Sequence, residues 1–178
     1  MSYKEELTKA MTWLGEQPNT IFIGQSVIYP GQAMFPTLEG VPLDRKIELP
    51  IMEDAQMGIS IGLSLAGYIP ISIYSRMDFL LLAMNQFVNH LDKIAIMSHG
   101  EFIPKVIIRT MVGSHRPLDG GLQHTQDYSV SLNGEWGFIP HIRIYQIGSA
   151  QSAVQYYQEA LVSSQSCLMV EYGEKYGN

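Results

Sequence analysis

The residues of this chain that could do chemistry lie in a few places. Glu53 and Asp54 open the stretch Glu53-Asp-Ala-Gln-Met-Gly-Ile-Ser-Ile-Gly-Leu-Ser-Leu-Ala66, behind the apolar approach Leu49-Pro-Ile-Met52. The plain reading is two carboxylates complementing the dipole of a helix that starts there. The apolar approach supports a second reading for Glu53, as a carboxylate carried into a half-buried site where desolvation can tune its protonation. His124 sits in Gly120-Gly-Leu-Gln-His-Thr-Gln126. A histidine on a Gly-rich loop is an acid/base or substrate-binding candidate, with an exposed loop side chain as the alternative. His115 is ambiguous in the same way. Cys167, the single cysteine, lies in the apolar run Cys167-Leu-Met-Val170 and reads as a buried structural thiol.

Several chemistries lack their residues. The histidines are not spaced as paired helical metal ligands, and no Cys/His metal spacing occurs. There is no G-x-S-x-G for a serine nucleophile, and neither G-x-G-x-x-G nor a Walker loop for a diphosphate. A net charge of -6 without a Lys/Arg cluster argues against nucleic acid and anionic membrane. No apolar segment approaches the roughly 18 residues of a spanning helix, and the start Met1-Ser-Tyr-Lys-Glu-Glu6 is acidic where a signal peptide would be basic. The expectation is a cytoplasmic protein. Its charged residues, only 16% of the chain, suggest a surface partly covered by partners.

The elements that must position these residues follow from periodicity. Helical spacing of Leu7, Ala10, Met11 and Leu14 predicts a first helix over Ser2–Glu16, with Ser2 and Glu5 as a capping box. Thr20–Ile23 reads as a buried strand ending at Gly24, followed by a Gly- and Pro-rich loop over Gln25–Asp44. Lys46–Leu49 is a weak second strand and Glu53–Ala66 a helix. Strand Ile69–Tyr74 follows, then a long helix from Met77 to about Met97, with Phe79, Ala83, Phe87 and Leu91 on one stripe. Lys105–Arg109 is the clearest buried strand and leads to the polar loop Gly113–Gln126. A helix near Tyr128–Trp136, strand Ile142–Tyr145, helix Ala150–Ser163 and strand Cys167–Val170 complete the chain. The alternation predicts one α/β domain over residues 1–178 with a mainly parallel, six-stranded sheet between helical layers. Ligands of such sheets bind at the carboxyl ends of the strands, where Gly24-Gln25, the Glu53 helix start and the loop from Thr110 to Gln126 are delivered. Gly58, Gly62 and Ala66 share a helical face that packs closely either on the chain's own sheet or on a partner subunit.

Taken in order, these segments resemble the pyrimidine-binding domain of thiamine-diphosphate enzymes of the transketolase type. The likeness runs in particular to the β subunit of the E1 component of 2-oxoacid (pyruvate or branched-chain) dehydrogenases. It is carried by Ile21-Phe-Ile-Gly24, Leu49-Pro-Ile-Met-Glu53 and Gly58-Ile-Ser-Ile-Gly-Leu-Ser-Leu-Ala-Gly67, then by Met77-Asp-Phe79, Asn85-Gln-Phe-Val-Asn89 and Met97-Ser-His-Gly100. Val106-Ile-Ile-Arg109, Gln123-His-Thr-Gln126 and Leu168-Met-Val-Glu171 continue it. The resemblance implies the pyrimidine-type thiamine-diphosphate-binding fold. It also implies that Glu53 hydrogen-bonds the N1′ atom of the cofactor's aminopyrimidine and activates it. By the same resemblance Phe79 packs on the pyrimidine ring, His124 reaches toward substrate, and the Gly58/Gly62/Ala66 face lies at a subunit interface.

Three departures qualify the transfer. The chain ends after its sixth strand, where E1 β subunits and transketolases continue into a carboxy-terminal domain. The family's Gly-Asp-Gly diphosphate and Mg²⁺ motif is absent, Asp119-Gly-Gly121 being a different pattern. Gln25 stands beside the cofactor pocket where E1 β subunits carry an acidic residue. The expectation is therefore the small subunit of a split thiamine-diphosphate enzyme, an oxidoreductase or transferase acting on a 2-oxoacid or ketose. It holds no metal itself and pairs with an E1 α-like diphosphate- and Mg²⁺-binding subunit in a heterotetramer. The alternative is a non-catalytic module that stabilises another subunit of such a complex.

Overall fold

In the computed structural model, which describes residues 1–116, 119–133 and 137–177, six strands form one sheet. They are β1 (Thr20–Gly24), β2 (Lys46–Glu48), β3 (Ile69–Tyr74), β4 (Ile107–Val112), β5 (Arg143–Gln146) and β6 (Cys167–Tyr172), in the order β2-β1-β3-β4-β6-β5. Every neighbouring pair is parallel, so the mainly parallel expectation becomes an all-parallel sheet. Alternate side chains along the strands serve opposite faces. Phe22, Ile71, Ile73, Ile107 and Met169 join one apolar cluster, while Ile108, Leu168 and Val170 join the other.

The first face is covered by α1 (Tyr3–Glu16) and α6 (Ala150–Val162), which pack side by side. Leu7, Met11 and Leu14 of α1 are completely buried there, each contributing about 1.5–3 kcal/mol of apolar transfer. Ser2 caps α1 and forms the expected capping box with Glu5. The second face is covered by α2 (Glu53–Leu65) and the irregular helical run that begins at Met77.

That run departs from a single long helix. It consists of α3 (Met77–Leu80), a 3₁₀ turn over Leu81–Ala83, a π-helical stretch over Asn85–Leu91 and α4 (Ile94–Met97). Ala83, Phe87 and Leu91 are buried as the stripe predicts, but Phe79 is only half-buried. The strand placed over Lys105–Arg109 runs instead over Ile107–Val112, with Met111 and Val112 registered against Glu171 and Tyr172. The helix expected near Tyr128–Trp136 is reduced to the single turn α5 (Ser129–Leu132), and its last residues, 134–136, lie outside the described residues. Among the described residues no helix is long and apolar enough to cross a membrane.

The strand order reverses at β1. The chain leaves β1 outward to β2 and returns to β3 on the other side, so the loops at the carboxyl ends of β1 and β3 part in opposite directions. Such a switch point opens a crevice. Gly24 lies at its floor, where a Cβ would come within 2.5 Å of the Ile73 carbonyl. Beside it, the Glu48 carboxylate accepts the backbone N–H groups of Ser26, Val27 and Ile28 at 2.5–2.8 Å, which shapes the loop that follows Gly24.

Candidate active site

Glu53 is the first residue of α2 and is half-buried. Its position is set by the buried polar side of the helix. Gln56 donates to Ser72 Oγ (3.1 Å) and to the Ile73 carbonyl (3.0 Å), and Ser60 donates to Ser72 Oγ (3.0 Å). These bonds pin the first turns of α2 to β3. Tyr74 closes the arrangement by donating its hydroxyl to the Glu53 carbonyl at 3.3 Å. Burial, helped by the Glu53 and Asp54 charges, holds the Tyr74 phenol well above its ordinary value, so it remains a donor at any physiological pH. Asp54 is exposed and accepts a 3.4 Å bond from Gln86.

Three of the sequence-predicted residues meet in one notch at the switch point. Gln25 from the end of β1, Glu53 from the start of α2 and Phe79 from α3 line it, with Met52 and Ser75 between them. The notch holds about 10 Å³, room for roughly a single water. His124, the fourth, lies on the other side of Phe79. Their rings meet edge to face with centroids 5.4 Å apart and an interplanar angle of 83°. Such pairs contribute about 0.5–1.5 kcal/mol beyond area burial, enough to hold the histidine against the phenylalanine. Gly113 lets the histidine loop fold back, since a Cβ there would fall 1.9 Å from the His124 carbonyl oxygen. His124 Nδ1 is buried without a hydrogen-bond partner among the described residues. His115 is not part of this group; it pairs with Asp119 at 3.0 Å on the exposed loop.

The glycine face of α2 does not pack on its own sheet. Gln56, Met57, Ser60 and Ile61 do that. A Cβ on Gly58 would come no nearer than 3.8 Å to Gln86, and one on Gly62 would meet nothing within 4 Å. Ile59 and Leu65 of the same helix are exposed.

Sequence reasoning missed two arrangements. Arg109 and Glu171 form a fully buried two-pronged ion pair at 2.8 and 3.0 Å. Thr37 accepts a further bond from Arg109, and the Tyr157 and Tyr176 hydroxyls donate to Glu171. This cluster ties β4 to β6 beneath the site. The signal was present as one buried-strand Arg and one buried-strand Glu, but only the strand order pairs them. The second arrangement is Arg76, just past the end of β3. Its place at a strand's carboxyl end was the available signal.

The fold is an α/β fold of the kind seen in transketolase-like solved structures, with an all-parallel six-stranded sheet between helices. The chain's homologues are β subunits of 2-oxoacid dehydrogenase E1 components, as the sequence resemblance suggested. The pyruvate dehydrogenase E1 component subunit beta of Cyanidium caldarium is 28% identical over 162 residues, covering 89% of this chain and 48% of that protein. Its counterpart in Gracilaria tenuistipitata var. liui is 30% identical over 128 residues, covering 72% and 38%. The 2-oxoisovalerate dehydrogenase subunit beta of Bacillus subtilis is 24% identical over 180 aligned positions, covering 99% and 53%. The chain thus spans about half the length of these relatives or less. Among solved structures, a split-gene transketolase described as an inactive beta4 tetramer superposes with a TM-score of 0.73 at 18% identity, over 97% of this chain and 51% of that one. The transketolase of Campylobacter jejuni gives 0.71 at 13% identity, over 97% and 26%. These likenesses are ones of fold. No family model matches the chain.

Proposed function

We propose that this chain is the pyrimidine-side subunit of a split thiamine-diphosphate enzyme, E1 β-like or transketolase-like, acting on a 2-oxoacid or a ketose. The observation that carries the reading is the convergence of Gln25, Glu53 and Phe79 on one notch at the switch point, with His124 against the Phe79 ring. When bound, thiamine diphosphate supplies the electron sink for making or breaking a bond beside a carbonyl.

The residues fit one edge of an aminopyrimidine. A half-buried carboxylate at a helix start suits a protonated ring nitrogen, and a partly exposed phenyl ring suits its face. Glu53 holds the proton at that nitrogen, fixed by the Gln56 and Tyr74 bonds so that little reorganisation is needed. Phe79 excludes water from one side. His124, whose Nδ1 lacks a partner among the described residues, is positioned to hold or move a proton on the substrate. The notch is too small to enclose a ring, which supports an opposite wall supplied by a second subunit.

That subunit, E1 α-like, would hold the diphosphate and Mg²⁺. Among the described residues no group of His, Cys, Asp and Glu could hold a metal ion. The open Gly58/Gly62/Ala66 face supports a closely packed interface, in an assembly we take to be a heterotetramer. The cytoplasmic setting belongs to the same proposal, although two Arabidopsis thaliana relatives are chloroplastic by name.

The test is a titration of thiamine diphosphate and Mg²⁺ followed by the circular dichroism of the bound cofactor. The chain with its diphosphate-binding partner should show a saturable signal, and the chain alone should not. A partner subunit that gives the same signal with and without this chain would contradict the proposal and favour the non-catalytic stabilising module.

A further inference from the structure

The edge of the sheet opposite the Glu53 notch carries a separate pocket of about 220 Å³. Among its lining residues Pro104 precedes β4, Ile142 precedes β5 and Ser166 precedes β6. The pocket therefore lies at the amino ends of three neighbouring strands. The end of the irregular helical run, from Leu91 to Ile96, contributes a further wall. Most of the walls are aliphatic, and Ile96 and Ile103 are exposed at 57% and 62%.

Asp92 is the exception among these walls, because it is a carboxylate only 2% exposed. Its Oδ1 accepts the backbone N–H of His141 at 2.9 Å. Its Oδ2 is buried without a hydrogen-bond partner among the described residues, and no ion pair among them reaches Asp92 within 4 Å. The His141 bond ties the turn before β5 to the helical run, which accounts for one oxygen and leaves the other. Neighbouring groups do not serve it. Lys93 donates its ammonium to Asn89 at 3.5 Å. The Ser166 hydroxyl donates to the Pro104 carbonyl at 3.1 Å and accepts the Val106 N–H at 3.0 Å. A buried carboxylate oxygen left in this way is costly unless a donor completes it.

Three kinds of occupant can be weighed. One water needs only about 10–15 Å³, and aliphatic walls give further waters few partners. Hard metal ions take about six or more oxygens, and among the described residues no group of His, Cys, Asp and Glu could hold one. An organic cation remains, with its charge at Oδ2 and its apolar body against Leu91, Ile96 and Ile103. A guanidinium fork needs both carboxylate oxygens for two parallel bonds, and His141 already uses one. A compact ammonium needs a single oxygen. We infer that this pocket binds an alkylammonium, a primary amine on a short aliphatic stem, with Asp92 as its counter-ion. The site is separate from the catalytic reading, since Glu53 lies at the other edge of the sheet.

The probe is n-butylammonium, titrated into the full chain at pH 7, where an alkylamine of pKa about 10.4 is charged. Parallel titrations use n-butanol as the neutral shape match, and potassium and ammonium chloride as inorganic cations. The readout is the backbone amide resonance of His141, which shares the Asp92 carboxylate. It should shift saturably with n-butylammonium, at least about tenfold more tightly than with n-butanol or either inorganic cation. Asp92→Asn retains an acceptor for His141 and should erase that preference at unchanged melting temperature. Should that variant fold poorly, Ile103→Lys alters an exposed position instead. Its own ammonium should weaken n-butylammonium binding at least about tenfold, by occupying the pocket or repelling the probe. Equal affinity for n-butanol would reduce the site to an apolar cleft, and equal affinity for potassium or ammonium would make it an inorganic cation site. Either result, the absence of a saturable shift, or a preference that survives these substitutions would overturn the inference.

Discussion

Glu53 takes its place from where α2 begins rather than from a charge partner. The Gln56–Ser72 and Tyr74 bonds fix the first turn of the helix, and the carboxylate then projects beside Phe79. His124 depends on that same phenyl ring. Phe79→Ala should therefore disturb both sides of the site, with Glu53 losing one wall and His124 its edge-to-face contact. His124→Ala should lower turnover of the assembled enzyme by about 10²-fold, the lower range for a lost acid/base group, while cofactor affinity stays within about twofold; equal losses in both would assign His124 to cofactor binding instead. Burial pushes the Cys167 thiol up from its ordinary value. It should resist iodoacetamide in the folded chain and react only on unfolding, as mass spectrometry of the alkylated protein would register. The alternation of elements brought the Glu53 helix start and the His124 loop to one sheet edge, but Phe79 joined them only through a family resemblance. Their types alone favoured a dipole-complementing carboxylate and an exposed loop histidine.

At the scale of elements, α2 carries two faces with separate tasks. Its buried side is polar where it meets β3, and its glycine side meets nothing at Gly62 among the described residues. Gly62→Leu should leave the isolated chain as stable or slightly more stable, since glycine costs a helix about 1 kcal/mol. The same change should weaken association with the partner at least about tenfold if the face is an interface. Melting temperature and sedimentation velocity separate the two effects, and unchanged association would remove the face from the assembly. Periodicity located nearly every helix and strand but misjudged the run from Met77. A stripe at strict four-residue spacing overshoots an α-helical turn by about 40° at each step. The chain keeps Ala83, Phe87 and Leu91 buried by widening into a π-helical stretch over Asn85–Leu91, and Phe79 is left outside the stripe. The end of β4 was misplaced for a different reason. A charged Arg109 reads as the edge of a buried run, and only its pairing with Glu171 on the neighbouring strand allows the apolar strand to continue to Val112.

For the whole molecule, the Arg109–Glu171 cluster is the main polar tie, joining two central strands to α6 and to the segment after the last strand. Arg109→Met should destabilise the chain by about 3–5 kcal/mol, because it strands a buried carboxylate, and a urea midpoint would measure it. Tyr157 and Tyr176 in the cluster, and Tyr3 beside it, have phenols raised above the ordinary value, first by burial and then by Glu171. A phenol raised on folding stabilises the fold fully below its unfolded value. Their contribution to stability should therefore be level up to a pH of about 10 and fall above it, and Tyr157→Phe should flatten that fall. Alternating helices and strands made the parallel sheet legible, but not the order β2-β1-β3-β4-β6-β5, which creates the switch-point crevice. The notch beside Glu53 holds only about 10 Å³, and on the proposed reading its opposite wall comes from a second subunit. The measurement that bears most directly on this account is turnover of the assembled enzyme carrying Glu53→Gln, with assembly checked by sedimentation. The account predicts an intact assembly whose turnover falls by about 10²–10⁴-fold. Near-normal turnover in that assembly would contradict it.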